Sequence, residues 1–206
     1  MNNLKQFDKN FISHEAKIIA GTDEAGRGPI AGPVVAAAVI FDKKIFHPGI
    51  NDSKKIPEKK RDEFYDWIIS NCVSYGISII DHIEIDEINI LQASLKAMKS
   101  AVAQLNIKPD LVLIDGNKSF VSEIPTKPIV KGDAKSFSIA AASIIAKVTR
   151  DKIMLEASQK YPEYFWHRNK GYPTKKHIEA VRNFGITPLH RKTFLSKILT
   201  SPMSPS

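Results

Sequence analysis

Residues 33–41, PVVAAAVIF, form an unbroken apolar run. The run is far shorter than the ~20 residues a membrane-spanning helix takes. Its Val and Ile content favours a strand. A strand without polar alternates must be covered on both faces, which requires layers above and below it. This segment therefore asks for a sheet flanked by helices, and the rest of the chain supplies the parts. KIIAGT (17–22), YGISIIDH (75–82), DLVLI (110–114) and the short 128–130 segment read as further strands. Residues 56–70 follow Pro57 with charged and apolar side chains at helical spacing. Residues 86–104 place Ile88, Leu91, Leu95, Met98 and Val102 three and four apart, the pattern of one amphipathic helix. Residues 136–160 form a long Ala- and Ile-rich helix, and 175–183 a shorter one closed by Gly185. The expected class is α/β, with strands and helices interspersed. The core is expected over about 17–155, a helical C-terminal extension packs over about 156–198, and 199–206, with Pro202 and Pro205, fray as a tail, all within one domain.

Composition narrows the partners. Hydrophobic residues make up 43% of 206, enough for a core and too many for a disordered chain. Lys and Arg exceed Asp and Glu by 30 − 22 = +8. That balance favours polyanions, nucleic acid first, although it also serves simple solubility. The single cysteine, Cys72, sits in an apolar stretch and reads as core filler. The first 17 residues lack the apolar segment of a secretory signal, and no 18-residue apolar run occurs. A reducing, cytoplasmic setting without membrane attachment is expected.

The acids stand where strands end. Asp23 and Glu24 follow an apolar strand and precede the Gly26-Arg27-Gly28 loop. Neighbouring side chains on a strand face opposite ways, so bringing both carboxylates to one ion requires the chain to bend at Glu24. Asp115 ends DLVLI, and Asp133 follows Lys131-Gly132 just ahead of the long helix. Each acid alone is equally well explained as a turn or helix-capping residue. Together they form an oxygen-only ligand set, which suits Mg²⁺ or Mn²⁺; cysteine ligands and paired histidines for zinc are missing. Asp52-Ser53-Lys54-Lys55 is a basic turn in which Lys54 could hold a phosphate or simply face water. From His167 to Lys192 there are seven Lys or Arg and one acid, Glu179, with Tyr172 between Gly171 and Pro173. Such a stretch could follow a nucleic-acid backbone, with the tyrosine stacking on a sugar or base, or packing in the core.

GTDEAGRGPIAGPVVAAAVI, DSKK, LVLIDGN, KGDAKSFSIAAASIIAKVTRD and GYPTKKH, in that order over about residues 17–192, resemble ribonuclease HII, the type 2 ribonuclease H of bacteria. The resemblance implies the ribonuclease H-like mixed sheet flanked by helices, with a helical C-terminal extension. It implies four metal ligands, Asp23, Glu24, Asp115 and Asp133, and a Gly26-Arg27-Gly28 loop whose backbone contacts the ribose 2′-hydroxyl at an RNA–DNA junction. By the same resemblance Tyr172 stacks on the junction sugar, Lys54 holds a phosphate, and Asp151 supports the site from behind the ligands. The implied activity is metal-dependent endonucleolytic cleavage of RNA–DNA hybrids and of DNA carrying single ribonucleotides, by a monomer using two Mg²⁺ or Mn²⁺ ions. A ribonuclease HIII-type enzyme and a non-catalytic nucleic-acid-binding module remain the alternatives. The Ser- and Pro-rich tail shows no sliding-clamp-binding peptide.

Overall fold

The structure, a computed structural model, describes residues 3–51, 53 and 56–199. Five strands form one sheet in the order β3-β2-β1-β4-β5. They are β1 (Ile19–Ala25), β2 (Val34–Ile40), β3 (Ser74–Ile80), β4 (Leu111–Asp115) and β5 (Thr126–Ile129). β1, β2 and β3 run as an antiparallel meander, while β4 and β5 lie parallel to β1. The helices are α1 (Asn3–Lys9), α2 (Glu58–Asn71), α3 (His82–Ile88), α4 (Ile90–Ala103), α5 (Phe137–Lys160), α6 (Trp166–Asn169), α7 (Lys175–Phe184) and α8 (Lys192–Leu199).

Every residue of β2 is buried, as its unbroken apolar run requires. Its alternation splits between two layers. Ala37 and Val39 pack with Phe137, Ala140, Ala141 and Ile144 of α5, while Ala36, Ala38 and Ile40 pack with Ala97, Met98 and Ala101 of α4. Small residues on both sides let the helices lie close to the sheet. At Gly21 a Cβ would stand 2.3 Å from the Ser138 carbonyl carbon, so β1 and α5 meet nearly backbone to backbone.

The long helix thus forms part of the central core. The short helices beyond it help enclose a separate apolar cluster of Ile30, Met154, Tyr164, Trp166, Val181 and Leu195. Asp86 of α3 accepts hydrogen bonds from the Lys192 and Thr193 amides, tying the start of α8 to α3. The helix expected over 86–104 is two helices. Asn89 takes a left-handed φ of 67°, and its side chain accepts from the Leu91 and Gln92 amides to cap α4. The segment ahead of β1, unassigned from sequence, holds α1, whose Asp8 accepts from both the amide and hydroxyl of Ser138 at the start of α5. Among the described residues no helix is long and apolar enough to cross a membrane. Residues 200–206, most of the expected tail, lie outside the described residues.

Candidate active site

β1 and β4 carry the acids to one place because their parallel pairing stops at Thr22–Ile114, leaving both strand ends to diverge. Asp23, Glu24 and Asp115 stand just past that point. All three line a cavity of about 280 Å³, together with Gly26, Arg27, Gly28, Ser53, Ser143, Lys147 and Tyr172. Glu24, Arg27 and Asp115 also line an adjoining cavity of about 170 Å³ that runs on past Gly116, Asn117 and Lys118. The bend expected at Glu24 is not there. β1 stays paired with β2 through Ala25, and the left-handed turn comes at Gly26, φ 106°. Both carboxylates reach the cavity without a kink because the edge facing β4 is open beyond Thr22, so side chains from either face meet around the strand end.

Each acid is held by its surroundings. Asp23, 5% exposed, accepts from the Glu24 amide at 2.7 Å and from Ser143. Burial, reinforced by Glu24 and Asp115, pushes its carboxyl well above the usual carboxylate range. Burial raises Glu24 too; Arg27, 3.4 Å away, opposes the rise and Asp115 adds to it. Asp115 Oδ1 accepts from the Gly132 amide at 2.6 Å and the Asp133 amide at 3.4 Å. A Cβ on Gly132 would stand 2.7 Å from Ile139 Cδ1, the movable end of that side chain, and 3.1 Å from Asp115 Oδ1 itself. Asp133 is buried in this same short turn but is not among the residues lining the cavity. The structure therefore brings three of the four expected acids to one cavity, and the backbone of the fourth, Asp133, lies against Asp115.

Asp151 does not reach the cavity. It binds Lys147 Nζ at 2.7 Å and lies 3.7 Å from Arg61, which donates to the Ser53 carbonyl, so it connects to the site through Lys147 and through Arg61. Lys54 lies outside the described residues. Tyr172, 42% exposed, lies beside Gly28, where an added Cβ would stand 3.4 Å from its ring. Its backbone is fixed from beneath. His190 Nδ1 accepts from the Thr187 amide and hydroxyl, so its Nε2 carries the proton and donates to His177 Nε2 at 3.1 Å. Trp166 also donates to His177 Nε2, which leaves His177 Nδ1–H to donate to the Tyr172 carbonyl at 2.9 Å.

Lys147, Ser143 and Ser53 were not picked out from sequence, although they line the cavity. Lys147 sits in the Ala-rich run of α5, where one lysine every few residues signals only an exposed face. Register with Ser143, four residues earlier, is what a helical reading could have used. Among the described residues, no three His, Cys, Asp or Glu side chains already stand as a metal cage.

A mixed five-stranded sheet with an acidic cavity at the ends of two adjacent parallel strands defines a hydrolase of the ribonuclease H-like class. Ribonuclease H2 from Pyrococcus horikoshii OT3 superposes with a TM-score of 0.72 and 30% identity, over 85% of this chain and 93% of that one. A family model described as Ribonuclease HII matches residues 20–197, and the chain belongs to the ribonuclease HII family. The Ribonuclease HII of Rickettsia akari (strain Hartford) is 55% identical over 191 residues, 93% of this chain and 96% of that protein. The crystal structure of Bst-RNase HIII in complex with Mn²⁺ shares the fold alone, at a TM-score of 0.64 and 19% identity over 82% of this chain and 63% of that one.

Proposed function

We propose that the chain is a metal-dependent endoribonuclease that hydrolyses the RNA strand of RNA–DNA hybrids and cuts on the 5′ side of single ribonucleotides in duplex DNA, leaving a 3′-hydroxyl and a 5′-phosphate. One observation carries the reading: Asp23, Glu24 and Asp115 share a cavity with the Gly26-Arg27-Gly28 loop and Tyr172, so an acidic centre adjoins groups able to read a sugar. Membership of the ribonuclease HII family supports it.

The donor set fits Mg²⁺ or Mn²⁺. It is all oxygen, and the burial and repulsion that raise Asp23 and Glu24 are what a pocket meant for a cation has without one. Asp23, Glu24 and Asp115 would hold the ions, two during catalysis, with Asp133 joining from the turn whose amides hold Asp115. Bound divalent cations supply Lewis-acid activation of water and offset charge on the scissile phosphate. The chain's own groups do the rest. Lys147, oriented by Asp151, lies where its ammonium can take a phosphate oxygen. Backbone N–H groups of the 26–28 loop bind the 2′-hydroxyl, and Tyr172 stacks on the same sugar. Reading the sugar rather than base edges selects RNA at one position without selecting a sequence. Lys54 takes a backbone phosphate, and the basic 167–192 stretch follows the duplex. The chain acts as a cytoplasmic monomer.

Asp115→Asn tests the reading. Mg²⁺- or Mn²⁺-dependent cleavage of a duplex carrying one ribonucleotide is expected to fall by orders of magnitude, while binding of the uncleaved duplex survives. Undiminished cleavage by this variant would refute the assignment.

A further inference from the structure

Two arginines are buried without an acid. Arg150 and Arg191 are 1% and 0% exposed, and among the described residues neither forms an ion pair. Removing a guanidinium from water is costly unless its N–H groups are satisfied, and here backbone carbonyls satisfy them. Arg191 donates to the carbonyls of Gly26, Arg27, Pro29 and Gly32. Arg150 donates to those of Ala31 and Pro33, and to Lys170 two residues before Tyr172. Nearly every carbonyl of the 26–33 segment is thereby turned inward onto two fixed cations.

The direction of the amides follows. In a trans peptide the C=O of one residue and the N–H of the next point opposite ways, and no cis bond occurs among the described residues. The segment obeys this rule where it can be followed. Pro29 O faces Arg191 while the Ile30 amide faces away, to Gly171 O; Ala31 O faces Arg150 while the Gly32 amide faces away, to Leu189 O. The same logic applies to Gly26 O and Arg27 O. With both held by Arg191, the amides of Arg27 and Gly28 are aimed away from it, on residues that line the cavity. Arg150 ties the second reading element to the first: it lies 6.0 Å from the centre of the Tyr172 ring, and it also fills the space beside Gly26, where a Cβ would stand 2.3 Å from its Nε.

We propose that Arg191, seconded by Arg150, is a positioning residue for ribose recognition: its forked hydrogen bonds to the Gly26 and Arg27 carbonyls aim the Arg27 and Gly28 amides at the 2′-hydroxyl, with Tyr172 registered against them through Arg150. The proposal rests on the function proposed above and names the device by which that site tells ribose from deoxyribose. A lysine in either place keeps a positive charge and loses the fork.

The test compares Arg191→Lys and Arg150→Lys with the wild type, in Ca²⁺, for binding to a DNA duplex with one ribonucleotide and to the all-DNA duplex of the same sequence. The wild type binds the ribonucleotide duplex more tightly. In Arg191→Lys that preference is expected to drop at least tenfold or vanish, with affinity for the all-DNA duplex within twofold of wild type and kcat falling more than KM rises in Mg²⁺. Arg150→Lys shows a smaller loss. A folded Arg191→Lys that keeps the full preference overturns the proposal. Should both variants fail to fold, amide exchange on the wild type decides: slow exchange at Arg27 and Gly28 only when the ribonucleotide duplex is bound, against a free segment whose Ile30 and Gly32 amides are already protected, supports it, and an unprotected free segment overturns it. A wild type with neither ribose preference nor cleavage would instead defeat the function proposed above.

Discussion

Asp23 pays for its role in stability. Its carboxyl is raised by burial and by Glu24 and Asp115, so the folded state holds that proton more tightly than the unfolded state does. The sign follows: the stability it confers is complete at pH values below the ordinary carboxylate pKa and is lost as pH rises through the raised folded value. Asp23→Asn removes that penalty. In metal-free protein it is expected to raise Tm at pH 7 by several degrees, with an advantage over wild type that shrinks towards pH 4, while cleavage is lost. Thermal melts of both proteins between pH 4 and 8 check this, and adding Mg²⁺ or Mn²⁺ to wild type should narrow the gap. An advantage independent of pH would mean that repulsion among the acids is not the cause. At this scale the sequence was most readable for residues whose place in the chain already announced them. Asp23, Glu24 and Asp115 follow apolar strands and end at glycine. Lys147, Arg150 and Arg191 gave no such signal, because their partners are an acid one turn away, or carbonyls 20 to 165 residues distant.

Between elements, the tightest contact is the seam of β1 and α5. Gly21 faces the Ser138–Ile139 backbone with no room for a methyl group. Gly21→Ala is expected to cost about 3 kcal/mol or more, since the obstruction is backbone and cannot turn aside; urea unfolding measures it. Because Asp23 lies two residues along the same strand, activity should fall further than the lost fraction of folded protein explains. The sheet and its flanking helices were legible because apolar runs and three-four spacings follow from burial. The division of 86–104 at Asn89 was not, since Ile88, Leu91 and Leu95 keep their spacing across the break and only the backbone angle of one residue separates α3 from α4. The contact of the Asp133 amide with Asp115 depends on a three-residue turn that pattern alone cannot orient.

Across the molecule, the buried histidine pair sets the response to acid. His190 is pushed down to about 4 by burial and by His177, and burial lowers His177 as well. A histidine whose folded value lies below its unfolded one binds protons better when unfolded, so stability falls as pH drops from about 6.5 to about 4. Up to roughly 3 kcal/mol is at stake for His190. Urea midpoints over that range should decline, and the His190 imidazole should titrate near 4 by NMR; a midpoint near 6.5 would show that the pair opens to solvent. The long central helix carries one more consequence. Fifteen of its 24 residues are buried, and it supplies most of the helical layer on one face of the sheet. It also begins at residue 137, so about two-thirds of the polypeptide leaves the ribosome before that layer exists. Until then the meander of β1, β2 and β3 emerges with an apolar side uncovered, and a nascent chain stalled before the helix is a substrate for chaperones and proteases rather than a partly working enzyme.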